Sequence, residues 1–198
     1  MTTLVLASAS PARRATLRAA GIEPLVVVSG VDESLLEGLP PLELALRLAE
    51  LKCTAVVHRQ ETPADALVLG CDSVLEMGGQ ALGKPPDAAD AVRRWRSMRG
   101  GVGVLHTGHC LHDVASGHVA AATASTTVHF ADVTDAEIEA YVATGEPLQV
   151  AGAFTVDGLG GAFVTRIEGD HHNVVGLSLP LMRELAAELG HAWTDLWS

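Results

Sequence analysis

The chain has 198 residues, enough for one domain or two small lobes around a shared cleft, and at 48% hydrophobic it can bury a sizeable core. With 24 acidic against 13 basic side chains its formal charge is −11, which makes it a poor candidate for binding duplex DNA through bulk charge; a phosphorylated ligand would need a local cluster of cations. No apolar run approaches the roughly 20 residues of a membrane span, no basic region opens the chain as in a signal peptide, and scattered Cys53, Cys71 and Cys110 suit reduced thiols rather than a disulfide frame or zinc site, so a cytoplasmic protein with no membrane contact is expected.

In chain order, Leu4 to Ala7 predicts a short strand, followed by Ser8-Ala9-Ser10-Pro11-Ala12-Arg13-Arg14. Ser10 is a good N-cap and Pro11 suits the first helical position, so a helix should run from Pro11 to about Ala20 and stop at Gly21. A strand, Ser-x-Ser and a helix N-terminus can cradle a phosphate with amides, hydroxyls and the positive dipole end. Arg13 and Arg14 oppose that dipole unless an anion is near; as surface arginines they would need no ligand. Leu25 to Ser29 predicts a second strand, and Val31-Asp32-Glu33-Ser34 brings acids to its end, either solvated or as ligands for a hard cation. A helix from about Leu42 to His58 is apolar nearly all round, interrupted by Lys52, which either extends its stem to water or meets an anion inside.

Ala66 to Leu69 is apolar enough for a buried strand ending on Gly70-Cys71-Asp72-Ser73, delivering a carboxylate where the strand leaves the core. Val74 to Met77 and Gln80 to Leu82, joined by Gly78-Gly79, predict a hairpin that hands the chain to Gly83-Lys84-Pro85. A helix follows from about Ala88 to Met98. Val102 to His112 and His118 to Phe130 predict an antiparallel pair, so the sheet is mixed. Thr134-Asp135-Ala136-Glu137 is a capping box for a helix to about Thr144. Ala151 to Val156 and Ala162 to Ile167 read as strands joined by a glycine turn, Asp157-Gly158-Leu159-Gly160-Gly161. Glu168 to Asn173 reads as a polar loop, and a last helix opens at Ser178 and Pro180 and ends at Gly190. Trp193 and Trp197 could cap the core or form an interface, the core being the preferred reading.

Taken together, S-A-S-P-A-R-R, V-D-E-S, G-C-D-S-V with G-K-P, H-T-G-H, Y-V-A-T-G-E-P, A-G-A-F-T-V-D-G-L-G-G and I-E-G-D-H-H-N-V-V-G-L occur in the order found in the Maf family of nucleoside triphosphate pyrophosphatases, which the chain resembles over nearly its whole length, most of all in actinobacterial members. The resemblance implies one Maf-like domain over 1–198: an α/β protein with a mixed twisted sheet, flanking helices and two lobes about a central cleft, elongated and similar to inosine triphosphatase. It implies hydrolysis of a nucleoside triphosphate to monophosphate and pyrophosphate with a divalent cation. Asp72 falls on the proton acceptor; Ser8, Ser10, Arg13, Glu33, Lys52 and Lys84 fall on the polar set around phosphates and metal.

The family's base-choice positions fall on Ala12, Ser73 and Asp157, where the common pattern has Arg, Thr and Gln. A branch acting on 7-methyl-GTP shares the Ser-Pro-x-Arg-Arg spacing and an acid at the third position, but carries glutamine after the catalytic Asp. The substrate is thus expected to be either 7-methyl-GTP-like or dTTP/UTP-like. In chemical terms Glu33 and Asp72 would hold Mg²⁺ or Mn²⁺, Asp72 would accept a proton from the attacking water, and Arg13, Lys52 and Lys84 would clamp the phosphates. Two rivals stand beside this: a non-catalytic nucleotide-binding regulator of septum formation, and a phosphatase releasing orthophosphate stepwise. A homodimer stays open.

Overall fold

The computed structural model describes residues 2–32, 36 and 38–198. Strands β1 (Leu4–Leu6), β2 (Leu25–Val26), β3 (Leu67–Met77), β4 (Gln80–Leu82), β5 (Val102–Asp113), β6 (Val119–Phe130) and β7 (Val164–Glu168) form one mixed sheet in the order β2-β1-β3-β5-β6-β7, with β4 paired to β3. β1 runs parallel to β2 and β3; the other pairings are antiparallel. Helices α1 (Pro11–Ala19), α2 (Pro41–Val57), α3 (Ala88–Met98), α4 (Asp135–Ala143), α5 (His171–Val175) and α6 (Leu179–Glu188) flank it, giving the expected α/β class with a mixed sheet. No helix among the described residues is long and apolar enough to cross a membrane.

Local rules account for most of these elements. Ser10 caps α1 by accepting from the Arg13 amide, Asp87 caps α3 through the Asp90 amide, and Thr134 and Glu137 form both halves of the α4 capping box. The β3–β4 turn places Gly78 and Gly79 at φ +56° and +79°, the left-handed pair a two-residue hairpin needs.

Apolar side chains gather in three groups. One lies under α1 and α6, with Leu17, Leu69, Leu111 and Met182; Trp193 packs partly buried against it. A second, under α3 and α4, centres on Trp95. A third joins α2 to the opposite sheet face through Val5, Ala49, Cys53, Val68 and Cys110.

Several expectations are corrected. The second strand is short, Leu25–Val26, and Ser29 lies beyond it. β3 does not end at Gly70; it continues to Met77, so Asp72 stands in mid-strand. Ala151 to Val156 is not a strand but begins with a 3-10 turn at Ala151–Ala153; a second such turn spans Leu159–Phe163, and the return strand expected from Ala162 begins at Val164 as β7. The cause is side-chain capture: the buried Trp95 indole donates to the Ala153 carbonyl at 2.7 Å and holds Ala153 at φ +58°, where no ladder can continue. The expected polar loop after Glu168 contains α5, whose N-cap Asp170 accepts from the His172 amide.

Candidate active site

Main-chain contact sets up the first part of the site. α2 turns its small residues Ala45, Ala49 and Cys53 to the sheet, spaced four apart on one helical face. Opposite them stand Gly70 of β3 and Gly108 of β5. A Cβ on Gly70 would overlap the Ala49 carbonyl oxygen, and one on Gly108 would overlap the Ala45 carbonyl. With no side chain at either point the helix lies directly on the strands. Lys52 is thereby lowered onto Asp72, two residues beyond Gly70 on the same face of β3. Its Nζ contacts Asp72 Oδ1, with both side chains about 11% exposed.

Strand order sets up the second part. β1 pairs with β3 only as far as Leu6 and Leu69, while β4 joins the same edge only from Leu82 and Leu75. Between these registers no described strand covers this edge of β3, and Asp72 lies at the centre of the bare stretch. Ser8 and Ser10 follow the end of β1; Gly83 and the exposed Lys84 follow the end of β4. Residues far apart in sequence thus reach one segment from opposite directions. Gly83 is fixed there, since its carbonyl accepts from the Gly152 amide at 3.1 Å and the Arg94 guanidinium at 2.6 Å.

Arg13 reaches the segment from the other sheet face. Its Nε donates to the Gly176 carbonyl at 2.7 Å, Nη1 to Ser8 Oγ at 3.0 Å and Nη2 to Ser73 Oγ at 3.0 Å. Ser73 Oγ also lies 2.9 Å from Thr107 Oγ1. Arg13 is only 8% exposed, yet all these partners are neutral and none of the described acids pairs with it. A buried guanidinium without a counter-ion is costly, and its remaining N–H groups leave room for an anion. Arg14, by contrast, turns outward to an ion pair with Glu23 at 3.3 Å.

The remaining sequence candidates fall into place unequally. Glu33 lies outside the described residues. Ala12 is half-buried on α1, its carbonyl accepting from the Thr16 hydroxyl at 3.0 Å. Asp157 is exposed and lines a hollow of about 290 Å³ with Thr16 and Ala19 of α1, His171, His172 and Val175. Ser73 and Asp157 therefore both stand on the α1 side of the sheet, whereas Asp72 faces α2.

Sequence reading missed several polar groups here. Glu146, in the 3-10 turn Glu146–Gln149, accepts from Tyr141, Thr155 and two loop amides; burial would raise its pKa, but these hydrogen bonds outweigh that and hold it below the usual carboxylate value. Burial first of all pushes Tyr141 up to about 12, so it stays a donor. His109, beneath the α1 face, donates from Nδ1 to the Thr107 carbonyl at 2.9 Å and accepts the Ser178 amide at Nε2 at 2.8 Å; burial lowers its pKa to about 4. The alternation in H-T-G-H was the available signal, because period two sends Thr107 and His109 to one face and His106 and Gly108 to the other. His106 bridges Glu76 at 2.9 Å and Ser125 at 2.8 Å on the α2 face.

All three cysteines are buried and free. The Cys71 thiol is pushed up to about 12 by burial, and Cys53 is raised first by its neighbour Cys110 and then by burial, so neither is a thiolate nucleophile. Among the described residues no three His, Cys, Asp or Glu side chains converge as a metal site. The donor at the bare edge is the Asp72 carboxylate, an oxygen ligand of the kind a hard divalent cation takes.

Comparison with known proteins shows the family of the chain. A relative from Salinispora tropica called nucleoside triphosphate pyrophosphatase is 66% identical over 197 residues, covering 98% of this chain and 87% of that protein. Relatives with the same description from Streptomyces coelicolor and Nostoc punctiforme are 58% and 50% identical, each over 98% of this chain and over 94% and 96% of their own lengths. Among solved structures, the Staphylococcus aureus Ham1 protein aligns over 99% of this chain and 94% of its own at 12% identity and a TM-score of 0.47, too distant a likeness to bear on activity. The family model described as Maf-like protein matches residues 3–189, and on that match and these relatives the chain belongs to the Maf family.

Proposed function

We propose that this protein hydrolyses a nucleoside triphosphate between its α and β phosphates, releasing the monophosphate and pyrophosphate. The observation that carries the reading is the buried Arg13 guanidinium, held only by neutral oxygens, at the strand segment where Asp72 meets Lys52. Among the described residues no acid pairs with Arg13, so it can take a phosphate, while Asp72 offers a base nearby. The relatives' description as nucleoside triphosphate pyrophosphatases supports the same chemistry.

Cleavage at the α phosphorus needs an aimed water and compensation for charge spreading onto the leaving pyrophosphate. Asp72 orients that water and accepts its proton. Lys52 fixes the Asp72 carboxylate in direction and adds positive charge. Arg13, presented by Ser8, Ser73 and Gly176, directs its free N–H groups to the phosphates, and Lys84 closes from the β4 side. The N-terminal amides of α1 add the positive end of its dipole. Asp72, together with Glu33 from the preceding acidic segment, would hold Mg²⁺ or Mn²⁺, which supplies charge neutralisation and acidification of water when bound.

Asp157 accepts hydrogen bonds and cannot donate them when ionised, so it suits the N1–H and amino group of a guanine, or the positive charge of a 7-methylated one. Ala12 leaves space on α1 for a larger base. These two residues favour guanine-type or modified substrates over dTTP or UTP. A panel of triphosphates including 7-methyl-GTP, GTP, UTP and dTTP, assayed for pyrophosphate with Mn²⁺, Mg²⁺ or EDTA, tests the reading. Metal-dependent pyrophosphate release, highest for a guanine-type substrate, is expected. Orthophosphate as first product, or no release from any member, would overturn it.

A further inference from the structure

We infer that Glu146 is a positioning residue for substrate selection: its carboxylate wraps the Thr155–Gly160 segment around itself and so holds Asp157 at the hollow beside α1. This rests on the reading of Asp157 as the residue that faces the base.

One carboxylate gathers donors from both sides of Asp157. Glu146 Oε1 accepts from Thr155 Oγ1, from the Gly160 amide at 3.1 Å and from the Tyr141 hydroxyl at 3.1 Å; Oε2 accepts from the Leu159 amide at 3.1 Å. Tyr141 reinforces the anchor, because its hydroxyl oxygen accepts the Thr155 amide at 3.2 Å. Thr155 stands two residues before Asp157, and Leu159 and Gly160 stand two and three after it. The arc between these anchors contains Val156, Asp157 and Gly158, and its exposed tip is Asp157-Gly158. A loop tied at both feet to one rigid charge has little freedom at its tip.

The glycines of the run answer to the same carboxylate. A Cβ on Gly158 would lie 2.8 Å from both Glu146 oxygens, and one on Gly160 would overlap the Tyr141 hydroxyl. The segment thus approaches the carboxylate as closely as a backbone can. Glu146 follows α4, whose Tyr141 packs edge-on against the buried Trp95 with ring centroids 5.6 Å apart, so the anchor is fixed to the core. Asp157 is carried across to α1 and α5, where it shares the hollow with Thr16, His171 and His172. Glu146 itself does not line that hollow, so it acts through the loop.

Glu146→Gln separates this role from simple packing. Glutamine keeps the shape but can turn an NH₂ toward the Leu159 amide or the Gly160 amide, setting donor against donor. In the full-length protein, Asp157→Ala should lower kcat/KM for the preferred base about tenfold relative to the least preferred one. Glu146→Gln should reduce the same ratio by a similar factor, mainly through KM. The double variant should discriminate no worse than Asp157→Ala alone, since one effect acts through the other. Glu146→Asp should restore part of the ratio. Additive losses in the double variant, or equal loss on all bases, would overturn the role of Glu146 while leaving Asp157 in place. A silent Asp157→Ala would overturn both it and the reading of Asp157, and total absence of pyrophosphate release would instead sink the proposed reaction.

Discussion

Asp72 and Ser73 are adjacent in sequence, yet each belongs to a different electrostatic arrangement. On the α2 face a lysine meets a carboxylate, and the two charges offset each other. On the α1 face an arginine of comparable burial meets two hydroxyls and a carbonyl, which orient it without neutralising it. The first face therefore has a carboxylate whose direction is fixed by a lysine; the second has a guanidinium, paired with no acid among the described residues, whose direction is fixed by neutral oxygens. The proposed cleavage would use both, and a strand accommodates them side by side because successive side chains leave it on opposite faces.

The most direct way to break this comparison is Asp72→Asn. Turnover should fall at least about a hundredfold, the scale of a lost acid–base group, while the chain still folds with a lowered thermal midpoint, because the amide keeps the shape but no longer sets a charge against Lys52. Pyrophosphate assays beside a melting curve test it, and near-normal turnover would mean that the base lies elsewhere.

Arg13→Ala should behave differently, lowering activity and also stability by about 2–3 kcal/mol, because Ser8, Ser73 and the Gly176 carbonyl lose a charged partner. Urea unfolding measures that loss, and added triphosphate should stabilise the wild type more than the variant. If Arg13→Ala left the unfolding midpoint unmoved, the knot on the α1 face would not be holding β3 to α5.

The same contrast can be sharpened through pH. His109, under the α1 face, has its folded pKa lowered to about 4 by burial, against about 6.5 unfolded. Its contribution is thus fully present above about pH 6.5. Between those values the unfolded chain binds a proton that the folded one refuses, so stability should fall by about 1.4 kcal/mol per pH unit as the solution is acidified. The slope should vanish from this source below about pH 4. Urea midpoints from pH 7 to 4, compared with His109→Gln, isolate the term; an unchanged slope in the variant would assign the acid sensitivity to other groups.

How far the sequence reveals this depends on whether the decisive contact is local. Ser10-Pro11, Asp87 and the Thr134–Glu137 box mark helix starts because capping acts over a few residues, and all three mark the observed N-termini. Gly70 misled because glycine usually punctuates a strand, whereas here it admits a helix backbone from twenty residues upstream. The strand expected at Ala151 to Val156 has apolar residues enough, but Trp95 and Glu146 take its polar groups, and neither is visible in the segment itself. The Asp170 N-cap of α5 is legible in the sequence, but a helix of 5 residues is too short to show a periodic pattern. As for the site, motif order singled out Asp72, Lys52 and Arg13 together, but not that two of them approach from opposite faces, which depends on register.

The close seating of α2 on Gly70 and Gly108 has a mechanical consequence. Lys52 and Asp72 are braced by a helix that meets the strands with no side chain on the strand side at Gly70 or Gly108. Substitutions that reshape the hydrophobic interior can therefore accumulate without shifting the registry of the two charges. A single methyl placed at either glycine would act as a wedge and part them.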